Sequence, residues 1–237
     1  MIRGEVPDLS SKDGDLFFLR AGRTKAGSLI SSLVAQRLPD AYGFDPRDDI
    51  QVISPGRKGY LGVLELNEIL REELNPAEPG KKQANVMGRV FRVGDKIMQI
   101  RNNYDMEWKR EDETGIGVYN GDIGVIEQID PIAGEIYCVF DGRHCTYTYE
   151  QTSDLELAFA VTVHKSQGSE YPAVVLSLAD VNYKLQYRNL LYTAMTRAKQ
   201  LLVIVGDEKV FRNMVANDRK MLRYSGLKQF LEDTAGA

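Results

Sequence analysis

Apolar and polar positions along the chain change period twice, and those changes divide it into three parts. In the first, short apolar runs alternate with stretches of helical spacing. "DLFFLR" (15–20) predicts a buried strand, and "KAGSLISSLVAQRL" (25–38) has its apolar residues three and four apart, as a helix requires. "DIQVISP" (49–55) predicts a second strand ended by proline. "LGVLELNEILREELNP" (61–76) predicts a helix with Leu64, Leu66, Ile69, Leu70 and Leu74 along one stripe, stopped at Asn75-Pro76. Strands alternating with helices imply parallel βαβ units.

From residue 86 to 150 the period falls to two. "VFRVGDKIMQIRNN", "NGDIGVIEQID" and "GEIYCVFDGRHCTYTYE" alternate as half-buried strands do, with turn residues between them and no helix of useful length. Asp141-Gly142 between β-rich flanks predicts a two-residue hairpin turn. This part reads as a small antiparallel barrel. "KK" at 81–82 reads as the linker into it, and "KREDE" (109–113) as a solvated loop. From about 155 the first pattern returns. "LAFAVTV" and "AVVLSL" predict buried strands, "YRNLLYTAMTRAKQ" a helix carrying Arg197, and "LLVIVG" a strand closed by Gly206. "DEKVFRNMVANDRKMLRYSGLKQFL" (207–231) predicts amphipathic helical pieces. The expected architecture is one α/β domain (1–85 and 151–237) interrupted by an inserted barrel (86–150).

Composition changes this picture little. The chain has 237 residues, 43% of them hydrophobic, and a net charge of −4. No apolar run approaches the roughly 20 residues of a membrane span, so a cytoplasmic protein with no membrane partner is expected. Two cysteines and two histidines give little from which to build a metal site. If Asp141-Gly142 is the turn, Cys138 faces Cys145 while His144 points to the other side, which favours free thiols and no shared metal. Charge is uneven: the middle part holds 7 basic and 12 acidic side chains, a net of −5. That excess weighs against strong DNA binding by the barrel alone, and Tyr104, Trp108 and Tyr119 are expected to serve mostly in packing or turns.

The densest chemistry lies in "AVTVHKSQGSEYP" (160–172). An apolar run ends in hydroxyls, a ring nitrogen, a glycine that admits close backbone approach, and a carboxylate. It stands where ligands bind in open α/β sheets, beyond the carboxyl end of a strand. Arg197 adds a planar fork suited to phosphate oxygens. Taken alone, each feature reads more simply as a solvated polar loop or a surface arginine in a last helical turn.

Taken in order, "TVHKSQGSEYPAVVL" and "RNLLYTAMTRAKQLLVIVG" closely resemble motifs V and VI of the superfamily 1 DNA helicases, in their RecD-like branch. "VISPGRKGYLGVLELNEILREELNP" resembles that branch's motif IV region, and "GDKIMQIRNNYDMEW…GVYNGDIGVIEQID" the small SH3-like barrel inserted in its second motor domain. The resemblance runs from about Asp15 to about Leu231. It implies a RecA-like motor domain, the C-terminal one of a pair. It also implies that Arg197 is the finger reaching the γ-phosphate of ATP, and that Gly168 and Glu170, with Gln167 beside them, approach the γ-phosphate and ribose. Thr162 and His164 would face single-stranded DNA, and Arg57 and Lys58 would offer further phosphate contacts from the motif IV loop. In this branch methionine often stands where this chain has Gly56, which gives the loop more freedom here. Motion 5′ to 3′ is part of what the resemblance implies.

No G-x-x-x-x-G-K-[ST] occurs, and no buried strand ends in an Asp-Glu pair for magnesium. The chain is therefore expected to be a C-terminal fragment, begun inside a longer gene at "MIRGE" and inactive alone. ATP and Mg2+ would be held with the N-terminal RecA-like domain, Mg2+ by that domain itself. Expected partners are single-stranded DNA, that domain, and other subunits where the branch works in a recombination and repair complex. The competing reading is a non-catalytic module that docks to DNA or to a partner subunit of a RecBCD-type exonuclease complex.

Overall fold

Apolar runs that alternate with helical segments must bury both faces of each strand, and the chain does so in a parallel sheet. The computed structural model describes residues 4–10 and 13–218. β1 (Leu16–Arg20) leads into α1 (Arg23–Ser32), a π turn (Leu33–Arg37) and α2 (Leu38–Tyr42). The predicted helix thus runs past its expected end at Leu38. Pro39 lacks an N–H and its ring would meet the carbonyl one turn back. The wide turn just before it, in which the Leu38 N–H donates to the Leu33 carbonyl, takes up that displacement. β2 (Ile50–Ser54) and α3 (Val63–Leu74) follow. The buried face of α3 is Val63, Leu66, Asn67, Leu70 and Arg71; Leu64, placed on that stripe by its spacing, is instead exposed.

The middle of the chain is antiparallel: β3 (Gln83–Val86), β4 (Arg89–Arg92), β5 (Lys96–Gln99), β6 (Asn103–Arg110), β7 (Glu113–Val118), β8 (Ile123–Asp130), β9 (Glu135–Phe140) and β10 (Arg143–Thr148). β3 and β4 form their own hairpin. The other six join β11 (Leu155–Leu157) in a seven-stranded sheet of order β11-β5-β8-β9-β10-β6-β7. "KREDE" is not a loop throughout: Lys109 and Arg110 end β6, Glu113 starts β7, and only Glu111-Asp112 turn.

β12 (Ala160–Thr162), β13 (Tyr171–Leu178), α4 (Arg188–Met195), β14 (Ala198–Gly206) and α5 (Glu208–Ala216) complete the chain. The five-stranded parallel sheet has the order β1-β14-β13-β2-β12, so strands from both ends of the sequence share it. Residues 219–231 of the predicted tail lie outside the described residues. Apolar clusters cover both faces of this sheet, and a third fills the antiparallel part around Ile97, Ile126, Phe140 and Tyr147.

The Asp141-Gly142 turn forms as expected, with φ of 50° and 73°, the left-handed pair a two-residue hairpin needs. Cys138 and Cys145 face each other, both buried and both free. Burial pushes the Cys138 thiol well above its ordinary range and Cys145 up to about 11. A thiol that is both buried and protonated is unreactive. At pH 8, neither cysteine is expected to react rapidly with a disulfide reagent in the native chain, and both should react once urea unfolds it. A fast thiol in the native chain would contradict this packing.

Two buried polar junctions bind the antiparallel part to the parallel sheet. In the first, Asp95, in the turn before β5, accepts from Arg71 Nε (3.0 Å), Asn75 Nδ2 (2.8 Å) and the Arg92 N–H (2.7 Å). Beside it Lys96 Nζ donates to the Arg47 carbonyl (2.5 Å) and to Gln51 Oε1 (3.1 Å). In the second, the chain returns from β11 to β12. Asn67 there donates to the Leu157 and Ala160 carbonyls and accepts the Ala160 N–H, while Gln51 donates to the Ala158 and Phe159 carbonyls. These buried bonds fix where β12, and so Thr162, emerges.

Candidate functional site

Thr162 closes β12 beside Ser54, the last residue of β2, so it stands at the carboxyl edge of the parallel sheet. Its Oγ1 accepts the Lys165 N–H at 3.3 Å, and His164 is exposed next to it. Arg57 and Lys58 lie at the same edge, in the loop between β2 and α3. That loop is tight. The first N–H groups of α3, on Val63 and Leu64, donate to the Gly56 and Arg57 carbonyls, and a Cβ on Gly62 would fall 2.9 Å from the carbonyl oxygens of Arg57 and Lys58. Arg57 pairs with Glu156 at 2.5 Å, whereas Lys58 is exposed. A cleft of about 260 Å3 opens here between the two sheets, lined by Arg57, Met98, Ile100, Glu156 and Thr162 among others.

Gln167, Gly168, Glu170 and Arg197 do not share that edge. β12 and β13 both run parallel to β2, so residues 163–170 must return to the start of β13 at the opposite end of the sheet. The sequence placed the whole polar stretch at a carboxyl end; the fold splits it between the two ends. Gly168, at φ +88°, takes the left-handed turn that this return requires. Gln167 and Gly168 are exposed, and Glu170 pairs with Lys199 at 3.6 Å on the surface.

Arg197 lies in the two-residue turn between α4 and β14, one step past the helix on which its spacing had placed it. Its guanidinium is half-buried. Nε donates to the Thr193 carbonyl (3.1 Å), Nη2 to Thr196 Oγ1 (3.2 Å) and Nη1 to the Ser169 carbonyl (2.9 Å). Its own carbonyl accepts the Tyr171 N–H at 2.8 Å. The two stretches richest in chemistry are thereby joined side by side, with Glu170 and Gly168 flanking Ser169.

Two groups went unassigned in the sequence. Lys165 donates from Nζ to Asn120 Oδ1 (2.5 Å) and to the Ile100 carbonyl (3.3 Å), both in the antiparallel part. Among sequence signals, only its position between His164 and Ser166 could have flagged it. Tyr104 and Tyr119, expected to pack inward or in turns, are 63% and 45% exposed and meet edge to face at 5.9 Å. Trp108 lies half-buried against Gly115. Among the described residues no group of three or more His, Cys, Asp or Glu side chains could hold a metal ion, and no helix is long and apolar enough to cross a membrane.

These two halves have counterparts among known proteins. The family model described as the ATP-dependent RecD-like DNA helicase SH3 domain matches residues 66–140, and that of the UvrD-like helicase C-terminal domain matches 157–205. The ATP-dependent RecD2 DNA helicase of Deinococcus radiodurans is 32% identical over 171 residues, 72% of this chain and 22% of that protein. The RecBCD enzyme subunit RecD of Mycobacterium tuberculosis is 36% identical over 191 residues, 79% of this chain and 29% of that one. The chain thus spans less than a third of either relative. The crystal structure of the Pif1 helicase from Candida albicans shares the fold, with a TM-score of 0.51 at 16% identity over 98% of this chain and 55% of that one. The parallel sheet is accordingly the RecA-like motor fold, and the antiparallel part its SH3-like barrel. The chain belongs to the RecD-like family of DNA helicases, of which it carries the SH3 domain and the UvrD-like C-terminal domain.

Proposed function

We propose that this chain is one half of an ATP-driven motor on single-stranded DNA, the half that supplies an arginine finger and one grip on the strand. The observation that carries the reading is the bond from Arg197 Nη1 to the Ser169 carbonyl. It ties the finger to a segment whose far end is Thr162, so a group that draws on Arg197 at one end of the sheet acts on a DNA-facing hydroxyl at the other. ATP would lie between this half and a second RecA-like domain bearing the phosphate loop. Arg197 would offer its fork to the γ-phosphate and Glu170 its carboxylate to the ribose, with Gly168 and Gln167 at the edge of the nucleotide. Thr162 and His164 would face the DNA, Lys58 would meet a phosphate, and Arg57 would do so on leaving Glu156. Among the described residues no buried strand ends in an Asp-Glu pair, so the carboxylates that hold Mg2+ are assigned to the other domain. Translocation 5′ to 3′ follows the RecD-like branch.

The test is ATP hydrolysis with and without oligo(dT), by this chain alone and joined to a RecA-like domain carrying the phosphate loop. No turnover alone, and DNA-stimulated turnover when joined, is the expected result. Turnover by the chain alone that survives repurification and is lost in Arg197→Ala would overturn the half-motor reading. Oligo(dT) affinity of the joined protein should also fall with salt, by a log–log slope of about −0.7 for each phosphate contacted. A salt-independent affinity would count against a phosphate grip.

A further inference from the structure

Among the groups that the proposed chemistry leaves unused, Lys165 has the most specific surroundings. Its backbone N–H is bound to Thr162 Oγ1, and its ammonium reaches across to two barrel loops, at Ile100 and Asn120. Those loops are bound to each other. The Asn120 N–H donates to Asn102 Oδ1 (2.9 Å), the Gly121 N–H to the Gln99 carbonyl (2.9 Å), and the Gln99 N–H to the Asp122 carbonyl (2.9 Å). The two loops are thus held to each other, and they carry the exposed Tyr104–Tyr119 pair.

The residue therefore joins three bodies within eight residues of chain. Thr162 belongs to the sheet edge, Lys165 reaches the barrel, and Ser169 holds Arg197. The tie also differs in kind from the Asp95 junction at the other end of β5. There Arg71 and Asp95 are 4% and 0% exposed and paired as opposite charges. Here both acceptors are neutral, and Asn120 is at the surface. A buried ion pair holds one arrangement, whereas a half-buried ammonium on neutral acceptors is reached by water, which can take their place when it lets go. The barrel is thus bolted at one end of β5 and latched at the other, with the latch set in the segment that connects Arg197 to Thr162.

We propose that Lys165 is a positioning residue that couples the barrel to this segment, so that nucleotide-driven movement at Arg197 is passed to the barrel as well as to Thr162. The proposal rests on the half-motor reading. Without the latch, ATP would still be hydrolysed, but less of each cycle would become strand separation.

The experiment compares wild type, Lys165→Ala, Lys165→Arg and Asn120→Ala in the protein that includes the ATP-binding domain. It measures DNA-stimulated ATP turnover, duplex unwinding and amide exchange across 99–103 and 119–122. The expected result for Lys165→Ala is ATP turnover within about twofold of wild type, with unwinding per ATP down about tenfold, the factor carried by one charged hydrogen bond. Exchange in both barrel loops should quicken. Asn120→Ala should show the same split to a smaller degree, and Lys165→Arg should restore part of the unwinding. Turnover and unwinding that fall together, or an unchanged unwinding yield per ATP, would overturn the coupling while leaving the motor reading intact. A wild-type protein without DNA-stimulated turnover would instead overturn the motor reading and the coupling with it.

Discussion

Asp95→Ala is expected to destabilise the chain by about 3–5 kcal/mol, the loss usual when one member of a buried ion pair is removed. The carboxylate is fully buried and accepts from Arg71, Asn75 and the Arg92 N–H. Arg71 Nη2 lies 2.8 Å from its second oxygen without the geometry of a hydrogen bond, so that contact is an ion pair alone. Removing the carboxylate strands the Arg71 charge at 3% exposure, together with two donors. The pair itself is not a large net gain. Burial holds the Asp95 carboxyl above its ordinary value, outweighing the pull of Arg71, Asn75 and Arg92. A carboxyl whose pKa is raised by folding binds more protons folded than unfolded between the two values. Its contribution to stability therefore falls as pH rises through that window. It follows that Arg71→Met with Asp95→Leu should lose less than Asp95→Ala. Urea denaturation of the single and double variants checks both statements; a single variant within 1 kcal/mol of wild type would mean that the junction carries little of the fold.

The same junction shows which parts of the fold were legible in the sequence. Strands buried on both faces, such as β13 and β14, stand out by their apolar runs at 173–176 and 201–205, and the Asp141-Gly142 turn could be read from two residues. α3 was legible as a helix and, at most positions, in its orientation. Its apolar stripe was right at Leu66 and Leu70, which are buried, and at Ile69 and Leu74, which pack against the same core. Leu64, however, is exposed, and Asn67 and Arg71, whose partners Ala160 and Asp95 lie far along the chain, complete the buried face. β6 left no signal because, of its eight side chains, Met106 is the one fully buried and most of the others are exposed. Alternation cannot be seen where nearly every position is polar. The candidate residues were legible as types and spacing. Their division between the two ends of the sheet was not, since it depends on β12 and β13 flanking β2 in parallel, a pairing set by long-range contacts. Arg197 was misplaced by one element for a related reason: Ala198 continues the helical apolar spacing yet pairs with Tyr171 as the first residue of β14.

In a protein that joins this chain to the ATP-binding domain, Arg197→Ala is expected to lower DNA-stimulated ATP turnover by about 10³–10⁵-fold, the range associated with an arginine finger. The physical basis is the number and placement of donors. A guanidinium has five N–H bonds in a rigid plane. Three are directed to the carbonyls of Thr193 and Ser169 and to the Thr196 hydroxyl, which hold the plane fixed. Among the described residues one hydrogen on each terminal nitrogen is left, and two parallel donors suit two phosphate oxygens. Arg197→Lys keeps the charge but neither the fork nor the three anchoring bonds, so most of the loss should remain. The lost anchors are half-exposed and water can replace them, so the melting temperature should shift by only a few degrees. Oligo(dT) affinity without nucleotide should stay within about twofold, since nothing then draws on Arg197 and pairing with β2 sets the Thr162 backbone. A docking module that never meets ATP predicts the opposite pattern: turnover by its partner unchanged in Arg197→Ala, and binding lost only when the docking surface is altered. Turnover and DNA affinity measured on the same Arg197→Ala preparation therefore separate the two readings, because a finger moves the first by orders of magnitude and the second hardly at all.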